Sequence, residues 1–156
     1  MKKQKNRNGF TLIELLVTMA ASAILVLTVA LILIMALRSW RINNAFVDLR
    51  SDSAFAFSMM TRDVREADDG TLTDGNPLIL PGTFPGKPMI TYTWNGVAGT
   101  LEYNNETDTM LIIHEGVQFF DSQKVGTGDG VLLTLELANT ELGIALTNQV
   151  FVNTRN

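Results

Sequence analysis

Two residues near the N-terminus stand where they could take part in chemistry: Gly9, at the end of a basic leader, and Glu14, a carboxylate at the start of an apolar run. Lys2, Lys3, Lys5 and Arg7 precede the glycine, and residues 15–37 carry no charge. An ordinary secretory signal has its small-residue cleavage site after the apolar core, so cutting discards that core. Here the small residue comes first. A cut at Gly9 removes only the basic leader and leaves a chain that begins with its own membrane helix. Glycine suits such a site, because it offers a protease no side chain and weakens the helix where an extended substrate is needed. A carboxylate inside a membrane segment costs of order 2.5 to 3.5 kcal/mol on insertion scales, so Glu14 marks function.

Elsewhere the residue types argue against catalysis. His114 beside Glu115 could suggest acid–base work, but the chain has a single histidine, no cysteine and no serine in a recognisable nucleophile setting. A solvated pair at a strand end is the better reading, and no enzymatic activity is expected. Asp68, Asp69, Asp74 and Asp121, with the glycines of residues 126–130, could supply oxygens to calcium. No glutamate closes a twelve-residue loop, so a hairpin loop is expected there and no metal site. The same glycines lack the lysine and following helix of a phosphate loop. No cofactor and no small-molecule substrate are expected.

The run Gly9-Phe10-Thr11-Leu12-Ile13-Glu14-Leu15, behind its basic leader, resembles the prepilin signal of type IV pilins and of type II secretion pseudopilins. The resemblance implies that prepilin peptidase cuts after Gly9 and methylates the new N-terminus, Phe10. It implies that Glu14, fifth in the mature chain, pairs with the N-terminal amine of a neighbouring subunit during assembly. The competing reading is an uncleaved signal anchor with Glu14 at the headgroup level. Pseudopilins at the extreme tip of such filaments can lack this glutamate, so its presence implies a place beneath or beside a capping partner.

The elements that must position these residues follow from pattern. Four Lys/Arg before the apolar run predict a cytoplasmic leader and an exported C-terminal part, in a single pass of the bacterial inner membrane. Residues 15–37 are about long enough to span a hydrocarbon core near 30 Å thick. The hydroxyls of Thr18, Ser22 and Thr28 are expected to bond back to helix carbonyls. Trp40, between Arg38 and Arg41, suits the membrane interface.

No proline or glycine occurs between Phe10 and Asp69, so one helix of about 58 residues, roughly 87 Å at 1.5 Å per residue, is expected. The kinking proline frequent in the family is absent, with Leu31 near its place. Above the membrane Ile42, Phe46, Leu49, Phe57, Met60, Val64 and Ala67 recur at steps of three and four, with Ser53 at one weak place. Arg41, Asp48, Asp52, Asp63 and Glu66 lie largely off that stripe, and Arg62 can pair with Glu66.

After Gly70 the texture changes. All four prolines fall in a turn-rich connection ending at Pro88. Strand-like runs follow at 89–94, 101–104, 110–114, 117–121, 131–137 and 144–152. Val131, Leu133, Leu135 and Leu137 share one face of a strand. Ile144, Leu146, Val150 and Val152 share another, interrupted by Asn148. The expected organisation is a leader at 1–9, a transmembrane segment at 10–37, an amphipathic continuation at 38–69 and a β-rich exported head at 70–156. The fold class is α+β: an antiparallel sheet with its apolar face on the upper helix, which is also the pilin fold.

Net charge is −4, or −8 without the basic leader, which argues against nucleic acid as a partner. With no cysteine the head must fold without the C-terminal disulfide loop of many major pilins. Residues 62–67, 115–121 and 150–156 are similar to J-type minor pseudopilins and W-type minor pilins. That resemblance implies a structural minor subunit serving type II secretion or type IV pilus biogenesis, or DNA uptake in a competence system. Prepilin peptidase, sister subunits and the lipid bilayer are its implied partners. The alternative of a different class is a membrane-anchored exported binding module. Glu14 discriminates the two, since a monomeric anchor gains nothing from an intramembrane carboxylate.

Overall fold

The computed structural model describes residues 11–67, 72–82, 88–125 and 130–154. Among these residues there is one helix, α1 (Leu12–Glu66), of 55 residues, followed by seven strands. The helix runs unbroken through Leu31, as a stretch without proline or glycine should. Thr18 and Ser22 bond the carbonyls of Leu15 and Thr18, and Thr28 bonds that of Ile24, each at 2.8 Å, so the hydroxyls are satisfied within the helix. At its far end the Ala67 amide donates to the Val64 carbonyl at 3.2 Å, tightening the last turn before the chain leaves the helix.

The chain forms two compact units, Met1–Arg41 and Ile42–Asn156. Every described side chain of the first unit is exposed. Leu16, Ile24 and Ile32 each keep about 60 to 66% of their surface open, a pattern suited to lipid or to neighbouring helices rather than to water.

In the second unit the apolar stripe of the upper helix becomes one wall of a core. Leu49, Ala56, Phe57, Met60 and Val64 are buried there with Tyr92, Phe120, Leu133, Leu135 and Leu137 from the strands. Two expectations about this stripe need correction. Phe46 is 43% exposed, and Ala45 packs against the core in its place, between the expected Ile42 and Leu49. Asp63, expected on the polar face, is buried. By spacing it sits three residues beyond Met60, on the inward side.

The strands are β1 (Leu78–Leu80), β2 (Ile90–Asn95), β3 (Thr100–Asn104), β4 (Thr109–Ile113), β5 (Val117–Lys124), β6 (Gly130–Asn139) and β7 (Ile144–Asn153). All neighbouring strands pair antiparallel, so the α+β class holds, with one long N-terminal helix and antiparallel sheets as in the pilin fold. The head has two sheets rather than one: a four-stranded meander in the order β1-β2-β3-β4 and a three-stranded one in the order β5-β6-β7.

The division occurs at Gly116. Its φ of +86° turns the chain, and a Cβ there would stand 2.9 Å from the Ala138 carbonyl oxygen. Only glycine allows so close an approach, and it directs β5 onto β6 instead of onto β4. Register shifts at Leu101/Glu102 and Val117/Phe119 flank the junction. The Val117 amide donates to the Gly99 carbonyl at 2.9 Å and the Trp94 indole to the Val117 carbonyl at 3.2 Å, so the two sheets stay joined. Strand β1 was not legible, because three residues between turn-forming prolines carry no period.

The two polar interruptions of the apolar series meet. Asn148 Nδ2 donates to Ser53 Oγ at 2.7 Å, linking β7 to the helix where each series had its gap.

Candidate functional site: the start of the long helix

Thr11 is the N-cap of α1. Its hydroxyl accepts the Glu14 amide at 3.3 Å, while its carbonyl accepts the Leu15 amide at 3.2 Å. Glu14 therefore occupies the third helical position, exposed in the first turn, where the positive end of the helix favours a carboxylate by about 0.3 to 1 kcal/mol. The cap role of Thr11 is a residue that reading from the apolar run missed. Its signal was present, since Thr-x-x-Glu before an apolar stretch is the pattern of a capping box. The expected cleavage residues Gly9 and Phe10 lie outside the described residues.

A second polar cluster lies in the head. Tyr92 Oη donates to Asp63 Oδ2 at 2.6 Å, and Arg62 Nε donates to Asp63 Oδ1 at 2.9 Å. Tyr92 is fully buried, and its ring meets that of Tyr103 edge-on at 5.4 Å. Burial, with the hydrogen bond to Asp63, pushes the Tyr92 phenol well above its ordinary value, and the bond to Asp63 raises the Arg62 guanidinium. This cluster holds helix to sheet. The space beside Asp63 is only about 30 Å³, while Arg62 borders a groove of about 750 Å³ between α1 and β7.

A pH dependence follows, with a definite sign. Above pH 10 the unfolded chain releases the Tyr92 proton while the folded chain keeps it. The contribution is therefore complete below pH 10 and is lost as pH rises beyond it. Tyr92→Phe should cost about 1.5 to 3 kcal/mol at pH 7, the value of a hydrogen bond to a charged group. Its stability should also fall less steeply between pH 10 and 11. Urea titrations of both proteins across that range measure this, and parallel curves would contradict it.

The remaining candidates do not converge on a reaction. His114 and Glu115 are both exposed beyond the end of β4. Asp74 Oδ2 accepts the Lys124 amide at 3.0 Å and Asp121 Oδ2 accepts from Gln123 at 2.9 Å, so both acids serve local structure. Among the described residues no three His, Cys, Asp or Glu side chains gather as a metal site. Asp68, Asp69 and residues 126–129 lie outside the described residues.

Residues 4–30 match the prokaryotic N-terminal methylation motif. No curated protein and no solved structure matches the chain. The motif is the prepilin-type signal of type IV pilin-like proteins, and here it leads into a helix long and apolar enough to cross a membrane. Over those residues the chain is similar to pilin-like substrates of prepilin peptidase, and the helix that follows is suited to anchor it in a membrane. The motif points to a structural subunit.

Proposed function

We propose that this chain is a minor subunit of a pilin-like filament anchored in the bacterial inner membrane, a minor pseudopilin of type II secretion or a minor pilin of type IV pilus biogenesis. Its leader faces the cytoplasm and its head is exported. Prepilin peptidase cuts after Gly9 and methylates Phe10, and Glu14 then pairs with the N-terminal amine of a neighbour as the chain enters the filament. One observation carries this reading: the prepilin-type signal continues into an unbroken helix whose apolar half is exposed on every side. Such a surface needs partners along its whole length. Lipid provides them before assembly, and copies of the same kind of helix provide them afterwards.

The absence of cysteine from an acidic head supports a minor over a major subunit, since the disulfide loop of many major pilins has no counterpart here. A membrane-anchored binding module would use the same anchor but would have no use for Glu14.

The test of processing is intact-mass measurement of protein extracted from membranes. Loss of residues 1–9 together with gain of one methyl group is the expected result. Gly9→Val should leave the precursor uncut, because a branched side chain then occupies the site where the peptidase needs none. A chain that keeps Met1, or is cut behind the apolar run, would refute the reading.

A further inference from the structure

The turn between β2 and β3 opens with an Asn-Gly pair, Asn95-Gly96, and both residues are exposed. Asn95 Oδ1 accepts the amides of Val97 and Ala98, each at 3.1 Å, and the Asn95 backbone carbonyl accepts the Gly99 amide at 2.8 Å. The Gly96 amide donates to nothing among the described residues, and neither does Asn95 Nδ2. A free backbone nitrogen therefore follows directly on a side-chain carbonyl whose oxygen already holds two N–H groups. Asp74-Gly75 has the same order of groups, but there the Gly75 amide is taken up by Ser122, by its carbonyl at 2.7 Å and its Oγ at 2.9 Å. Asn8-Gly9 lies outside the described residues.

We propose that Asn95 is a site of spontaneous covalent modification, in which the Gly96 nitrogen closes on Asn95 Cγ, ammonia leaves, and water opens the cyclic imide to aspartate or isoaspartate. The Gly96 amide gives its proton to hydroxide or a buffer base as its nitrogen bonds to Cγ. Glycine suits this step, since it places no side chain beside the attacking nitrogen. Negative charge develops on Oδ1, where the Val97 and Ala98 amides face it as an oxyanion hole, within the range of about 2.7 to 3.1 Å that such donors keep. Collapse breaks the bond from Cγ to Nδ2, which takes a proton from water and departs as ammonia. Water then adds to one imide carbonyl and the bond from that carbon to nitrogen breaks. Opening at Cγ gives aspartate, and opening at the backbone carbonyl gives isoaspartate. No electrons change hands, and water is the only co-reactant. Either product adds a carboxylate to a chain whose charge without its leader is already −8, so the head becomes more acidic with age. Aspartate can still accept both amides of the turn. Isoaspartate adds a backbone carbon at the end of β2, where Asn95 pairs with Thr100, beside the Gly99 carbonyl that holds Val117 at the junction of the sheets.

The test incubates the full chain, extracted from membranes in detergent, in buffers made with heavy-oxygen water. The peptide carrying Asn95 is then followed by tandem mass spectrometry. It should exchange its side-chain NH2 for a hydroxyl bearing heavy oxygen, in two forms that chromatography separates, and faster in mildly alkaline than in mildly acidic buffer. Gly96→Ala should slow the change at least about tenfold, because a Cβ crowds the attacking nitrogen. The φ of Gly96 is not in the left-handed region and its Cβ would meet only the Trp94 ring, at 3.3 Å, so the thermal midpoint should hold in this variant. The folded chain should react at no less than about a third of the rate of the guanidinium-unfolded chain, since the turn already holds nucleophile, carbon and oxyanion donors together. An Asn95 that keeps its amide, or a rate indifferent to Gly96→Ala, would overturn the proposal. So would a folded chain more protected than that, because the turn would then shield Asn95 instead of preparing it.

Discussion

Glu14→Ala is expected to reduce incorporation of the chain into its filament at least about tenfold, while membrane insertion, cleavage after Gly9 and folding of the head stay intact. The asymmetry has a physical basis. In the isolated anchor Glu14 is exposed in the first turn of α1, its amide capped by Thr11. Alanine there loses about 0.3 to 1 kcal/mol of helix-end electrostatics. It also removes the 2.5 to 3.5 kcal/mol of order that a carboxylate costs within the membrane. The anchored monomer is therefore no less stable. With the proposed pairing, assembly should lose the attraction between the carboxylate and a neighbour's amine, about 4 kcal/mol for charges 4 Å apart at an effective dielectric constant of 20. Membrane crosslinking against sister subunits measures the association directly. Glu14→Gln keeps size and hydrogen bonding and should be nearly as defective, which separates charge from shape. Normal crosslinking by either variant would remove the assembly role from this residue.

The second large effect concerns the head. A protein beginning at Arg38 should be soluble and monomeric, with one cooperative thermal transition, whereas one beginning at Leu72 should not fold although it keeps all seven strands. Ala56, Met60 and Val64 of the helix are completely buried, and Leu49 and Phe57 are nearly so. Burying each large apolar side chain is worth about 1.5 to 3 kcal/mol, and domain stability is only about 5 to 15 kcal/mol. Removing that wall also uncovers Leu133, Leu135 and Leu137 on β6 and leaves the Tyr92 hydroxyl without Asp63. Circular dichroism with thermal scanning decides the matter. A cooperative transition in the shorter protein would show that the sheets hold a core of their own.

The amino-acid sequence by itself determined everything that depends on neighbours along the chain. The prepilin-type signal is a matter of order and spacing over a few residues. The long helix follows from the absence of proline and glycine and from hydroxyls that bond one turn back. Six of the seven strands were visible as short alternating or apolar runs, for the same local reason.

What only the tertiary structure decided involves partners far apart in sequence. Ser53 and Asn148 each read as a flaw in an apolar face, and their 2.7 Å hydrogen bond across 95 positions explains both. Asp63 read as a surface charge because its partner, Tyr92, lies 29 residues away on a strand. The division of the head into two sheets depends on the close approach of Gly116 to Ala138, a contact between the residue before β5 and the end of β6 that no window of sequence contains. Local pattern records which side of an element is apolar, because burial repeats with the period of the backbone. It cannot record which polar group on that side will find a partner, because that is settled only when separate elements pack and every buried donor and acceptor must be satisfied at once.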